Sequence, residues 1–472
     1  MIRESTPVRL ESPLPEAVPA GSAITLFCSG TACRAEAFEF VVGDERHSAA
    51  AVGMPRFDIP CRRSGFWGVV PVRAPTESGS LEIRAAIRWP DRQLSYATLG
   101  RVPVGEPLPD RSSSSRDDEL VAICMGTYEP DPDMLRAQID SIRSQTDTRW
   151  VCVISDDHSS EERFAALRSI VGSDERFSVS RAGQRTGFYR NFERSLQLAP
   201  PSAGLLAFCD QDDVWHREKL HTLRASLGSA MLAYSDMRLV DEAGHTLRET
   251  LWQGRRNNSS NLASMLMANT VTGAAALFRR EVAERALPFP DSPGLEFHDH
   301  WIALIALAIG EIAYIDRPLY DYVQHRSAVV GNVAGPVPSF PGRKRLRVPR
   351  MHDWRAAYFL GYVPGEIRAR TLLLRCTDQL TPSKRRALER YLGAGSTASG
   401  LAWLLFRPAR MLAGRTETLG GEWQIALGIV WRHLAIAVAR LPGWPERWTL
   451  DTRFPDPARF EHKRLRRWRE RI

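Results

Sequence analysis

Between residues 120 and about 333, short apolar runs alternate with amphipathic segments, and this alternation restricts the fold more than any other feature of the chain. ELVAICMGTY precedes DMLRAQIDSIRSQ, RWVCVISDD precedes SEERFAALRSIV, and RFSVSRA precedes FYRNFERSLQLA. LLAFCDQDD then precedes HREKLHTLRASL, and AMLAYSDMRLV follows. Near-continuous apolar runs are strands buried on both faces. The pattern therefore predicts an α/β domain with a mostly parallel sheet and helices on both faces. In such sheets ligands bind beyond the carboxyl ends of the strands, and the acidic clusters of the sequence fall there.

The first cluster is Asp210-Gln211-Asp212-Asp213, directly after the apolar run 205–209. In extended backbone, residues i and i+2 face the same way, so Asp210 and Asp212 can present two carboxylates to one side. Two hard oxygen donors suit Mg²⁺ or Mn²⁺, ions that commonly share their shell with substrate phosphates. The plain alternative is a solvated acidic turn before a helix starting near His216. The second cluster, Asp156-Asp157, ends the run 150–155, where one carboxylate can accept the imide N–H of a uracil or thymine base. Capping of a helix near Glu161 by Ser159 or Ser160 explains the same residues without a ligand. Thr127 and Tyr128 close the first strand, and Tyr128 is placed to flank a base. The third cluster is His298-Asp299-His300-Trp301, at the entrance of an apolar helix. Asp299 there suits a general base toward an alcohol, or simply a helix cap. The His-x-His spacing has no further His or Cys nearby, so a zinc site is not expected.

The flanks differ from this centre. Residues 1–106 carry short alternating runs (23–28, 37–42, 68–72, 81–89, 94–102) and read as a small all-β, immunoglobulin-like sandwich. Trp67 and Trp89 are expected in its core rather than on a sugar platform. PLPDRSSSSRDDE (107–119) reads as an exposed linker, the α/β domain as 120–335, and residues 336–472 as a basic helical region with helices over 355–375, 383–393, 399–413 and 423–441. The chain's net charge of +8 conceals an asymmetry: residues 343–472 carry a net +16 and the first 342 residues a net −8. The acidic part is no nucleic-acid footprint, and the basic tail is a separate module. The seven cysteines include no CxxC pair, and Cys124, Cys152 and Cys209 sit in apolar runs as buried thiols. No stretch has the apolar length of a membrane span, and the N-terminus lacks a signal-peptide core. A cytoplasmic chain is expected.

Taken together, MGTYEP (125–130), ISDDHSS (154–160), RTGFYRNFERSL (185–196), AFCDQDDVWHREKL (207–220), AYSDMRLVDEAG (233–244), NTVTGAAALFRRE (269–281) and FHDHWIALIALAIGEIAYIDRPLYDYVQH (297–325) resemble the family-2 glycosyltransferases with the glycosyltransferase A fold. DQDDVW, the YSD strand and HDHW with the later QH resemble the bacterial rhamnosyltransferase-like subgroup in particular. The resemblance implies that 120–335 is the catalytic domain. It implies nucleoside contacts at Thr127, Tyr128, Asp156, Asp157 and Asp210, and metal contacts at Asp210 and Asp212 with Asp213 as the alternative. Asp299 would be the catalytic base, Gly273, His298 and Trp301 would meet acceptor or sugar, and Gln324 and His325 would close on the diphosphate. His158, and Arg326-Ser327 after the late His, depart from the pattern.

The implied activity is that of an inverting, metal-dependent glycosyltransferase using Mn²⁺ or Mg²⁺. It would move a sugar from a nucleotide-diphosphate donor, dTDP-rhamnose first, to a bacterial surface polysaccharide or lipid-linked glycan precursor. A UDP-hexose or UDP-N-acetylhexosamine donor is the nearest rival within the class. A non-catalytic glycan- or nucleotide-binding protein is the alternative of another class, and the carboxylates present speak against it. A phosphoesterase would need more His and Asp ligands. In the tail, Trp423, Trp431 and the run HKRLRRWRERI suit peripheral contact with an anionic membrane.

Overall fold

The structure, a computed structural model, describes residues 8–30, 35–54, 65–72, 79–105, 117–252, 257–290, 296–325, 351–407, 409 and 421–438. The N-terminal segment forms two sheets that face one another. Strands Val8–Leu10, Ser22–Gly30, Gly65–Val72 and Ala50–Met54 make the first. Val18–Pro19, Leu94–Gly105, Ser80–Arg88, Ala37–Val42 and Glu45–Ser48 make the second, each in that spatial order. Alternating inward residues fill the space between them, among them Leu26, Phe38, Phe40, Phe66, Val70, Ile83 and Val102. Gly68 is needed there, because a Cβ would stand 2.6 Å from the Phe40 ring. The outer face of the first sheet is also buried: Phe27, Met54 and Trp67 belong to the main core of the molecule. Trp67 is thus a core residue, and its indole N–H donates to the Tyr358 hydroxyl at 2.7 Å. Trp89 is half-buried and donates to Ser95 Oγ.

The central sheet has the order Phe177–Arg181, Trp150–Asp156, Asp117–Thr127, Ala203–Cys209, Ala276–Arg279, Leu232–Asp241, Ile312–Gln324 and Val214–Trp215, with Thr246–Arg248 paired to Leu232–Asp241. The first four strands are parallel. Ala276–Arg279 runs antiparallel to both neighbours, and Val214–Trp215 and Thr246–Arg248 also pair antiparallel, so the sheet is mixed and mostly parallel. Asp117–Thr127 starts inside the segment read as linker, whose residues 107–116 lie outside the described residues. Pairing of Thr127 with Asp156 and of Met125 with Cys209 brings three strand ends to one edge. The helix expected near His216 begins at Lys219, after the short strand Val214–Trp215 pairs with Tyr320 and Asp321.

C-terminal helices Met351–Ala357, Val363–Arg375, Pro382–Ala394, Ala398–Phe406 and Gly421–Val438, with one π turn at Tyr358–Tyr362, lie against both preceding parts. Arg375 joins all three: its Nε donates to Gly21 O at 2.6 Å and its Nη1 to Ala286 O at 2.7 Å. Burial lowers its guanidinium to about 10. The helix read as a membrane-surface element is instead packed inward. Trp431 is fully buried against Tyr358 and Phe359, and Arg432 is buried while donating to Gly395 O. Trp431 therefore cannot reach a lipid surface. The Trp423 side chain, the terminal basic run and Arg326-Ser327 lie outside the described residues. Among the described residues no helix is long and apolar enough to cross a membrane.

Candidate active site

Thr127 and Asp156 close neighbouring parallel strands, and the loops after them are tied together by side chains. Asp156 is fully buried and accepts from Thr127 Oγ1 at 3.1 Å, Ser159 Oγ at 2.5 Å and Ser159 N at 2.9 Å. Asp157, equally buried, accepts from Thr186 N, Thr186 Oγ1 and Gly187 N at 2.7–2.9 Å. Both carboxylates thus tie the loops beyond the strand ends together, with an acceptor site left on each. Asn191 staples the same strand ends, donating to Thr127 O and Ser155 O. His158 takes a φ of +62°, where a small residue is least strained, and its Nδ1 lies 3.1 Å from Ala182 O. The exposed group is Tyr128. The Arg185 guanidinium lies 4.1 Å over its ring, and Gln211 grips its backbone, accepting from Tyr128 N at 2.9 Å and donating to Tyr128 O.

The acidic cluster follows the fully buried strand Ala203–Cys209, so its charges sit where the strand leaves the core. Burial pushes the Asp210 carboxyl up to about 7, with the charges of Asp212 and then Asp299 adding to the rise. Asp299 is therefore within electrostatic range of the cluster, although it lies far away in sequence. Asp213 is buried and raised well above the carboxylate range for the same reasons, burial first. Its Oδ1 accepts from Val323 N while Oδ2 has no hydrogen-bond partner. Asp212 pairs with His325, Nε2 to Oδ2 at 2.9 Å, which raises the imidazole. Gln324 ends the same strand, in register with Asp241. Beneath the cluster lies Lys219, fully buried. It donates to Ala274 O, and its Nζ is 3.6 Å from the Trp215 ring centre and 4.6 Å from that of Tyr320. Burial lowers its ammonium to about 7, against the opposing pull of Cys209, Asp213 and Asp210.

Crowded carboxylates with a buried orphan oxygen fit a hard divalent cation. Among the described residues no three His, Cys, Asp or Glu side chains converge as a ready-made cage. An ion here would be held by one or two carboxylates and completed by other oxygen ligands. Asp210 and Asp212 are the partly exposed members able to hold it.

Asp299 stands in the first turn of helix His298–Ile309 and is partly exposed. Its oxygens accept from His300 N at 2.6 Å and Gly273 N at 3.3 Å, yet burial raises the carboxyl to about 7. Gly273 is enforced by contact: a Cβ there would lie 2.7 Å from His298 Nε2 and 3.3 Å from Asp299 Cβ. His298 is buried, stacked on Phe192 at 3.7 Å, with both ring nitrogens unpartnered and its pKa lowered by burial to about 3. Trp301 is a correction. Fully buried, with its indole N–H on Ala286 O, it belongs to the core and touches no sugar. His300 points away from the acids, to Met265 O and Arg368, so the His-x-His pair does not converge on one ion. Sequence reasoning missed Arg185, Asn191, Gln211 and Lys219. Only Lys219 carried a usable signal, as one of four lysines in a chain with 59 arginines.

The open, mixed α/β sheet gathers an acidic cluster and a raised carboxylate at its strand ends, the place where ligands bind in sheets of this class. The family model for Glycosyl transferase family 2 matches residues 122–287, the stretch from the first central strand to just before the Asp299 helix. Over 108 residues the chain is 34% identical to the UDP-Glc:alpha-D-GlcNAc-diphosphoundecaprenol beta-1,3-glucosyltransferase WfgD of Escherichia coli. That match takes in 22% of this chain and 39% of the relative's length. Among solved structures, S. aureus TarS 1-349 in complex with UDP-GlcNAc aligns at 13% identity and TM-score 0.42, covering 68% of this chain and 91% of that one. The mannosyltransferase PcManGT from Pyrobaculum calidifontis, in complex with GDP-Man and Mn²⁺, aligns at 19% identity and TM-score 0.36, covering 70% and 88%.

Proposed function

We propose that the chain is an inverting, metal-dependent glycosyltransferase that moves a hexose from a nucleotide-diphosphate donor to a hydroxyl of a lipid-linked glycan precursor on the cytoplasmic side of a bacterial membrane. The observation that carries this reading is geometric: the turn Gly273–Ala275 donates from Gly273 N to Asp299 and accepts at Ala274 O from Lys219, the buried cation under the acidic cluster. The matching family-2 segment supports the reaction class. The stretch shared with the WfgD glucosyltransferase supports UDP-glucose as first donor and a diphosphate-linked GlcNAc as acceptor. The DQDDVW and HDHW strings favour dTDP-rhamnose as the second reading.

The base stacks on the face of Tyr128 opposite Arg185, beside the strand ends that Asp156 and Asp157 hold in shape. A divalent ion on Asp210 and Asp212, when bound, supplies positive charge to the departing diphosphate. His325, 2.9 Å from Asp212 through Nε2, is the polar side chain offered to a diphosphate oxygen on that side. Asp299 accepts the proton of the acceptor hydroxyl as that oxygen bonds to the anomeric carbon and the bond to the diphosphate breaks. Attack comes from the face opposite the leaving group, so the centre inverts. Gly273 N and His300 N fix the carboxylate for this role and leave it free lone pairs. Asp299→Asn keeps the shape and removes the base. It is expected to abolish transfer, while a Mn²⁺-dependent thermal shift with the nucleotide stays as in the wild type. Transfer at the wild-type rate by this variant would sink the assignment, and EDTA should silence the wild type.

A further inference from the structure

The helix that carries Asp299 begins without a side-chain cap. Its cap position is Phe297, which offers no acceptor, and both Asp299 oxygens already take N–H groups of Gly273 and His300. Asp299 itself therefore takes the first-turn N–H of His300, and a further tie holds the helix start. The two residues after the base supply it, and both are gripped by one C-terminal helix. His300 Nδ1 meets Arg368 Nη1 at 2.6 Å, and its Nε2 meets Met265 O at 2.7 Å. A guanidinium only donates and a carbonyl only accepts, so Nδ1 is the acceptor and Nε2 carries the hydrogen. The ring is fixed as one neutral tautomer, and burial and Arg368 together hold it well below the usual imidazole range. Arg368 is itself set by Pro364 O at 3.2 Å and by Glu296, 3.8 Å away. One residue beyond, Trp301 donates to Ala286 O, which also accepts from Arg375, whose guanidinium lies 5.8 Å from the Trp301 ring centre. Arg368 and Arg375 are two turns apart on helix Val363–Arg375 and so share one face.

We infer that helix Val363–Arg375 is a positioning part of the active site, with Arg368 acting through His300 to set where the Asp299 carboxylate stands against the acceptor hydroxyl. The inference rests on the reading of Asp299 as the base. A residue needed only for folding would change stability and leave the balance of kcat and KM alone, whereas misplacing the base lowers kcat with donor binding intact.

The test uses the full chain with Mn²⁺ and a short-lipid GlcNAc diphosphate acceptor. The donor is whichever of UDP-glucose, UDP-GlcNAc, GDP-mannose and dTDP-rhamnose gives the highest wild-type turnover, and D299N runs in parallel. R368M and H300L are expected to lower kcat about tenfold or more with donor KM held within about twofold. H300Q, which again offers an acceptor and a donor, should return kcat to within about threefold of the wild type. The double variant R368M/H300L should fall no lower than the poorer single, because both act on one path. Should R368M fail to fold with Glu296 left unpaired, H300L and H300Q carry the comparison, since the Arg368–Glu296 pair remains. Wild-type kcat in H300L beside an inactive D299N overturns the inference alone, as do losses that multiply in the double variant. An active D299N, or a wild type silent with every donor, overturns the reading beneath it and the inference with it.

Discussion

At the scale of single residues, environment decides which carboxylates do chemistry. Asp156 and Asp157 are buried and bonded to their own loops, whereas Asp299 keeps an accessible edge and a raised pKa. Burial raises Asp299 because it penalises the charged form, and that form is the base of the proposed reaction. Activity is therefore lost as pH falls through about 7 and kept above it. A kcat/KM profile whose acid limb lay near pH 4 would show that the base is an ordinary exposed carboxylate. Lys219 yields a second expectation. Its ammonium sits between two rings and a carbonyl with no room for a guanidinium. Lys219→Arg should thus cost about 1–3 kcal/mol by overpacking, read from the denaturant midpoint. The acidic residues were legible in the sequence because strand ends and carboxylates can both be read locally. Occupancy of Asp157 was not, since its partners are Thr186 and Gly187, on a loop about thirty residues on. The place of Trp301 could have been read: two residues along a helix is a rotation of about 200°, so Asp299 and Trp301 cannot share the cleft face.

Between elements, the informative contact is that of the Gly273 turn with the helix His298–Ile309. Gly273 lets that turn sit directly on His298 and the base. Gly273→Ala should push the helix aside and lower kcat by about tenfold to a hundredfold with nucleotide binding intact, checked by steady-state kinetics beside a thermal shift. Unchanged kcat would mean that the helix start adjusts freely. The alternation of apolar runs announced the strands, because burial on both faces leaves a local pattern. It did not announce that Ala276–Arg279 runs antiparallel. A four-residue apolar strand has no local mark of direction, and its orientation follows from where the preceding loop delivers the chain.

Over the whole molecule, the basic tail joins the sandwich to the α/β part through its helices. The Trp67–Tyr358 hydrogen bond and the contacts of Arg375 with Gly21 and Ala286 close that joint. Tyr358→Phe leaves a buried indole N–H without its partner, so it should cost about 1–3 kcal/mol in denaturant unfolding while kcat and KM stay unchanged. A shift in kcat would tie the sandwich to catalysis. The tail's amphipathic stripes were readable as helices, but composition could not say whether Trp431 met lipid or protein; only packing against Tyr358 and Phe359 answers that. The account as a whole stands on one stereochemical event. The most direct measurement is proton NMR of the anomeric centre in product formed from an α-linked UDP-hexose or a β-linked dTDP-rhamnose. Inversion, giving a β-hexoside or an α-rhamnoside, with no product from D299N, is the predicted result; retained configuration, or nucleotide release without a new glycosidic bond, would contradict it.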